Sequence, residues 1–366
     1  MSTDRYAVRR DKLLHRLRKD GVGDLLVTNP TNVRYLTGFS GEDSYLLLGP
    51  GATLLISDAR FTTQIAEECP GLETHIRPPG KFMHEAVAEV LQQARLATLA
   101  FESAHLTHHG WQQIAEAAKP LELVPKAGLV EEFRQTKDAG EVAEIREAIR
   151  QAERGAALMR SGLVGEMTEL QAAAELEYGM RKFGARKPSF DPIVAVGARA
   201  ALPHARPGET RISDGDLVLV DWGSTNAGGY RSDLTRVWGT ARISSKLEKV
   251  HRVVFTAQRR AIAEIRPGVE CRDIDAIARK EIERAGYGKQ FGHGLGHGIG
   301  LDVHEGPRLG PSSKDVLKAG MVVTVEPGVY LPGWGGVRIE DDVLVTRDGC
   351  EVLSSIPADL ERIPLD

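Results

Sequence analysis

Two stretches of this chain follow one pattern. Gly215-Asp216-Leu217-Val218-Leu219-Val220-Asp221 and Gly320-Met321-Val322-Val323-Thr324-Val325-Glu326 each run from a glycine through apolar residues to an acid six residues on. Upstream of each, a helical pattern closes on a glycine, in Met159-Arg160-Ser161-Gly162-Leu163 and in Ile265-Arg266-Pro267-Gly268-Val269. An acidic residue and a new helical pattern follow, from Leu170 and from Ile274. The duplication predicts two related α/β halves around a shared sheet. No finer repeat joins these landmarks, which excludes a short solenoid.

Each apolar run leads into a hairpin pattern. After Asp221 the chain turns through Asn226-Ala227-Gly228-Gly229 into Ser232–Val237, and after Glu326 through Pro332–Gly336 into Val337–Val343. With turns centred on Ala227 and Gly333, Asp221 is expected opposite Asp233 and Glu326 opposite Glu340, with Cβ atoms about 4.5–5.5 Å apart. Two carboxylates so close on a buried sheet repel, and one of each pair would hold a proton. A cation relieves that conflict. A single such pair could turn one member to solvent, but the arrangement occurs twice.

The stretch Phe291–Glu305 (FGHGLGHGIGLDVHE) adds His293, His297 and His304 among glycines. Imidazole is a common metal ligand and proton carrier, and glycine lets backbone approach an ion or substrate closely. Four carboxylates with one imidazole are too charged for a single ion. Two divalent ions sharing bridging carboxylates fit best. Mn²⁺ suits such hard ligands, and Zn²⁺, Fe²⁺ or Co²⁺ are compatible. Two such metals, roughly 3.5–4 Å apart, hold a bridging hydroxide at neutral pH and polarise a carbonyl. The implied chemistry is hydrolysis.

At 366 residues the chain is expected to form two domains. The crossover falls at Phe133–Lys137, giving domains 1–132 and 133–366. The first third alternates strand and helix, as small α/β domains do. Residues 4–20 read as an amphipathic helix and Asp24–Thr28 as a strand stopped by Asn29-Pro30. A hairpin follows around Gly49-Pro50-Gly51, then helices over 59–68 and 83–94 and a strand over 98–101. Asn32–Glu42 reads as a loop. His105, His108 and His109 lack a carboxylate at useful spacing, which disfavours a metal site there. Hydrophobic content of 42%, charged content of 27% and a net charge of −4 are those of a globular protein and make no case for nucleic acid. No stretch has the pattern of a signal peptide or a membrane span. Three scattered cysteines, Cys69, Cys271 and Cys350, point to a reducing cytoplasm and away from a thiolate metal site.

DWGSTNAGGYRSDLTR, GHGLGHGIGLDVHEGP, TVEPGVY and GVRIEDD together resemble the pita-bread metallopeptidases, in the Xaa-Pro branch that holds prolidase and aminopeptidase P. The likeness runs over roughly residues 138–360. The first 130 residues are more loosely similar to the creatinase-type N-terminal domain of that branch, best in TNPTNVRYLTGFSG. The resemblance implies an α/β (α+β) chain in which a small N-terminal domain precedes a duplicated catalytic domain with a curved antiparallel sheet covered by helices. It makes Asp221 a ligand of one metal, His297 and Glu326 ligands of the other, and Asp233 and Glu340 the bridges. His304 would donate to the scissile carbonyl, His204 would assist from a facing loop, and Glu326 would shuttle the proton. His293 and Arg338 would line the substrate site.

The activity so implied is hydrolysis of the bond before proline in a peptide, by a metal-bridged hydroxide. A homodimer is implied as well, in which the Arg34–Glu42 loop of one chain closes the other's pocket. Where many members read DLTRT, this chain has Val237, outside the ligand set. Relatives that cleave another C–N bond, as creatinase does, or that only bind, lose the five-ligand set, and here all five positions are filled. A methionine-removing aminopeptidase fits less well, because the N-terminal domain and the GVRIED arginine match the proline branch.

Overall fold

The structure, a computed structural model, describes residues 5–365. The chain forms two compact units, one up to Arg134 and one from Gln135.

In the first unit, strands β1 (Leu25–Val27), β2 (Tyr45–Gly49), β3 (Ala52–Asp58), β4 (Glu73–Arg77), β5 (Thr98–Glu102) and β6 (Glu122–Lys126) make one mixed sheet in the order β4-β3-β2-β1-β5-β6. Helices α1 (Arg5–Lys19), α2 (Pro30–Thr37), α3 (Thr62–Glu68), α4 (Met83–Ala94), α5 (His108–Ala117) and α6 (Leu129–Arg134) connect and cover it. α1 buries Leu13 and Leu17, one turn apart on a single face. Asp4, which the expected first helix includes, lies outside the described residues. α6 takes in Phe133 and Arg134, read from sequence as crossover.

One expectation in this unit is corrected. Asn29-Pro30 ends β1, but it starts a helix where a loop was expected. Asn29 Oδ1 accepts the Thr31 N–H at 2.9 Å, Pro30 occupies the first helical turn, and Gly38 closes α2 in the left-handed region at φ 87°. Asparagine cap, proline first and glycine last is the usual order of helix boundary residues. The loop expected over Asn32–Glu42 therefore begins only at Gly38.

The second unit shows the duplication. α7 (Ala139–Ser161) and α8 (Glu169–Lys182) pack together in the first half, and α9 (Ser245–Ala263) and α10 (Cys271–Arg284) in the second. α7 starts in a capping box, with Asp138 accepting the Glu141 N–H and Glu141 accepting the Asp138 N–H. The strands are β7 (Lys187–Pro188), β8 (Ile193–Val196), β9 (Leu217–Trp222), β10 (Ser224–Thr225), β11 (Leu234–Gly239), β12 (Gly296–Gly298), β13 (Glu305–Leu309), β14 (Val322–Val325), β15 (Gly328–Leu331), β16 (Gly335–Arg338), β17 (Asp341–Val345) and β18 (Cys350–Val352). They divide into β11-β9-β8, β13-β12-β14-β17-β18, β15-β16 and β10-β7. A bridge between Thr235 and Glu340 links the first of these sets to the second half. One core runs beneath both, with Leu219 and Val237 from the first half, Val323 and Val343 from the second, and Val250 and Val254 from α9.

The second hairpin has the expected register. Val325 pairs with Asp341 and Gly328 with Arg338, so the intervening Glu326 faces Glu340. The ladder opens at that point because Pro327 has no N–H to donate. The N–H groups of both glutamates turn outward, Glu326 to the Leu295 carbonyl at 2.8 Å and Glu340 to the Thr235 carbonyl at 3.1 Å.

The first hairpin differs from expectation. Asp221 pairs with Thr235, and Asp233 lies one diagonal step further along the same face. The turn centres on Gly228, since the Asn226 N–H donates to the Tyr230 carbonyl and Asn226 Oδ1 accepts the Tyr230 N–H, each at 3.0 Å. The asparagine side chain thus sets the register.

Candidate active site

Strand alternation puts Asp233, Thr235 and Asp221 on one face, and Arg338, Glu340 and Asp342 on one face of the other hairpin. The donor atoms of Asp233, His297 and Glu340, all buried, lie within 4.8 Å of one another. Among the described residues no other group of histidines, cysteines and acids converges in this way. Glu326 joins through His297, whose Nε2 is 3.4 Å from Glu326 Oε1 and 3.8 Å from Asp233 Oδ2. Asp221 stands apart in one respect. Its Oδ2 takes an ion pair from Arg338 Nη2 at 2.5 Å, while its Oδ1 is buried and, among the described residues, without a partner.

The glycines around His297 have a steric cause. A Cβ at Gly296 would come within 2.0 Å of the Thr324 carbonyl oxygen, and one at Gly298 within 2.0 Å of the Gly306 carbonyl oxygen. Only glycine lets β12 enter between its neighbours. His297 Nδ1 faces the Gly298 carbonyl at 3.0 Å. Nδ1 then carries the proton and Nε2 keeps its lone pair toward the carboxylates, as a ligating histidine requires. Thr324 Oγ1 accepts the His297 N–H at 3.1 Å and donates to Glu326 Oε1 at 3.3 Å.

Electrostatically the site is poised for a cation. Burial, and then repulsion from Glu340, Asp221 and Glu326, hold the Asp233 carboxyl well above its ordinary range. Burial and repulsion from Glu326 and Asp221 do the same to Glu340. Glu326 is pushed up to about 8, by burial first, with Arg338 opposing the shift. Burial likewise lowers His297 to about 4, which keeps its ring neutral. Charged acids need a positive partner here, and one arginine does not suffice. The orphaned Asp221 Oδ1, the neutral imidazole and the converging oxygens fit divalent metal.

The remaining expected site residues lie in the same cavity of about 1110 Å³, which His204, His293, His304 and Arg338 all line. The His304 ring meets the His297 ring edge-on at 4.4 Å between centroids. His204 is exposed on the cavity wall. His293 is held from both sides, Nδ1 toward the Gly294 carbonyl at 2.8 Å and Nε2 toward the Tyr330 hydroxyl at 3.0 Å. That hydroxyl accepts from Arg338 Nη1 at 2.7 Å. Tyr330, Thr235 and Thr324 were not singled out from sequence. Period-two alternation carried a signal for the threonines, each two residues from a proposed ligand. Val237 is buried in β11 opposite Leu219, away from these groups.

With this geometry in hand, comparison with known proteins is direct. Residues 143–347 match the model of metallopeptidase family M24, and residues 9–136 that of the creatinase/prolidase N-terminal domain. The chain is 34% identical to an Xaa-Pro dipeptidase of Pyrococcus furiosus, covering 96% of this chain and 99% of that one. Among solved structures it resembles an Xaa-Pro dipeptidase from Bacillus anthracis, at 37% identity and TM-score 0.93, over 97% of this chain and 99% of that one. It also resembles an X-Pro aminopeptidase from Thermotoga maritima, at 34% identity and TM-score 0.89, over 97% of this chain and 100% of that one.

The chain belongs to metallopeptidase family M24, with a creatinase/prolidase N-terminal domain and the pita-bread fold of the prolidases. That family is one of metallopeptidases, and the proteins this chain is similar to include Xaa-Pro dipeptidases.

Proposed function

We propose that this protein hydrolyses the peptide bond preceding proline, using two divalent ions held by Asp221, Asp233, His297, Glu326 and Glu340. The observation that carries this reading is the buried convergence of Asp233, His297 and Glu340 beside an unpartnered oxygen of Asp221. In this reading Asp233 and Glu340 would hold both ions, Asp221 one, and His297 with Glu326 the other. Mn²⁺ suits this oxygen-rich set. When bound, the ions supply an activated water and polarise the scissile carbonyl.

The chain's own residues do the rest. His304, beside the ligand cluster but outside it, donates a hydrogen bond to the scissile carbonyl oxygen as charge develops there. His204 assists from its facing loop. Glu326 takes the proton from the attacking water and passes it to the proline nitrogen. Arg338 and His293, tied together by Tyr330, form the wall against which the peptide backbone lies.

The X-Pro aminopeptidase among the similar structures supports peptides longer than two residues. The Xaa-Pro dipeptidases among the relatives support the shorter substrate. We further infer a homodimer in which the segment from Arg34 to Glu42 borders the partner's cavity. Three free cysteines fit a reducing cytoplasm, and no described helix is long and apolar enough to cross a membrane.

The deciding experiment is release of free alanine from Ala-Pro and from Ala-Pro-Ala after Mn²⁺ loading, with metal content measured. Cleavage of the dipeptide alone makes the protein a prolidase, and cleavage of the tripeptide with the dipeptide slow makes it an aminopeptidase. Silence on both, with metal bound, moves the assignment to a different C–N bond.

A further inference from the structure

Arg308 is the cross-strand partner of His297 in the β12–β13 ladder. Residues so paired share a face, with Cβ atoms about 4.5–5.5 Å apart, and both side chains line the cavity. Four other arginines of the second unit are engaged. Arg338 holds Asp221, Arg279 holds Asp275, Arg236 holds Asp341, and Arg231 donates to the Leu301 and Ser189 carbonyls.

Arg308 is different. Its side chain is exposed, and among the described residues no hydrogen bond or ion pair holds its guanidinium. The neighbouring Asp315 instead uses Oδ2 to accept the Arg308 backbone N–H at 3.1 Å and the Ser313 hydroxyl at 3.4 Å. Arg206 and Lys314 are likewise exposed and, among the described residues, unpaired, and they line the same cavity, as do the exposed acids Asp191 and Asp315.

A guanidinium is a planar fork of donors matched to a carboxylate. Directly opposite a residue of the reacting centre, it stands within a residue or two of any bond cut there. We propose that Arg308, backed by Arg206 and Lys314, is a specificity-determining residue that selects Xaa-Pro peptides bearing an acidic side chain near the scissile bond. The inference rests on the Xaa-Pro peptidase reading for the bond that is cut, and on the β12–β13 register for the recognition itself.

The test compares Glu-Pro-Ala with Gln-Pro-Ala and Ala-Pro-Glu with Ala-Pro-Gln, using the full-length Mn²⁺-loaded protein. In one pair the glutamate peptide should have the higher kcat/KM, by about tenfold, as a charge-assisted hydrogen bond supplies. Which pair responds locates the carboxylate before or after proline. Arg308→Gln should bring that ratio near unity, and Arg308→Lys, which supplies the charge without the fork, should keep part of it. Equal rates within both pairs, or a ratio unchanged in Arg308→Gln, overturns the proposal. A ratio lost equally in Arg308→Lys assigns the effect to disturbance of β13 and also overturns it. If no peptide is cleaved, the peptidase reading fails by itself. Calorimetric affinities of the same peptides for wild type and Arg308→Gln then decide the role of Arg308 by the same ratio.

Discussion

Thr235 Oγ1 donates to Glu340 Oε2 at 2.7 Å and accepts from Arg338 Nε at 3.1 Å. The Thr235 carbonyl also accepts the Glu340 N–H at 3.1 Å. One residue of the first half thereby holds a carboxylate of the second by both backbone and side chain, at the point where the sheet is bridged. Replacing Thr235 by the isosteric valine removes the hydroxyl and leaves the shape. Groups that orient a metal ligand typically contribute 10–100-fold in affinity, so Thr235→Val should weaken Mn²⁺ binding by about that factor while the protein stays folded. Thr235→Ser should restore it. Equilibrium dialysis with ⁵⁴Mn²⁺ reads the difference directly, and equal affinities for wild type and valine variant would deny Thr235 this role.

The four acids and one histidine of the centre and the adjoining His304 should separate by phenotype. Asp233 sits inside the ligand cluster, so Asp233→Ala should lose one or both metals together with activity. His304 touches the cluster only through the edge of its ring. His304→Ala should keep the metals and lower kcat by about 10²–10⁴, the range for a positioned acid or donor. Metal analysis beside turnover distinguishes the two. A His304→Ala protein without metal would mean that ligand and donor are interchanged.

The glycines of the histidine loop are not equivalent. Gly298→Ala would drive a Cβ into the Gly306 carbonyl, whereas Gly292 has nothing within 4 Å of the corresponding position. Overpacking against backbone costs about 1–3 kcal/mol or more, and in a domain of this size each kcal/mol lowers Tm by roughly 2–4 °C. Gly298→Ala should therefore lower the melting temperature by several degrees and weaken metal binding, and Gly292→Ala should do neither. Matching melting curves for the two variants would mean that β12 is free to shift.

The contrast between those glycines shows what pattern alone could and could not convey. The continuous apolar runs Leu217–Val220 and Val322–Val325 were enough to place two buried strands ending in acids, because a short apolar run bounded by turn signals reads as a strand buried on both faces. The opposite partner of each acid depended on the turn. Gly333 sits at the centre of its turn as expected, but the Asn226 side chain closes a turn centred on Gly228, so Asp221 meets Thr235. Asn29-Pro30 was ambiguous for a related reason, since the same dipeptide serves a turn or a helix start. Arg308 lay beyond such reasoning altogether. Its place opposite His297 arises in a ladder whose register shifts between His297 and Gly298, and no periodicity encodes that.

His251 gives the pH dependence a sign. It lies buried in α9, stacked on Phe255 at 6.2 Å between ring centroids, and burial pulls its pKa down to about 4. Arg236 pushes the same way, while Asp359 and a hydrogen bond at Ala358 oppose. The folded protein then refuses a proton that the unfolded chain accepts below its ordinary value of 6.5. Stability from this residue is complete above that value and declines as pH falls toward 4, by on the order of 3 kcal/mol across the window. His251→Gln removes the group from both states. The wild type should lose more stability than the variant between pH 7.5 and pH 4.5 in urea unfolding of the metal-free proteins, where the other histidines contribute equally to both. Parallel losses would show that His251 takes up its proton in the folded state as readily as in the unfolded one, and that its buried place beside Phe255 and near Arg236 does not resist the charge.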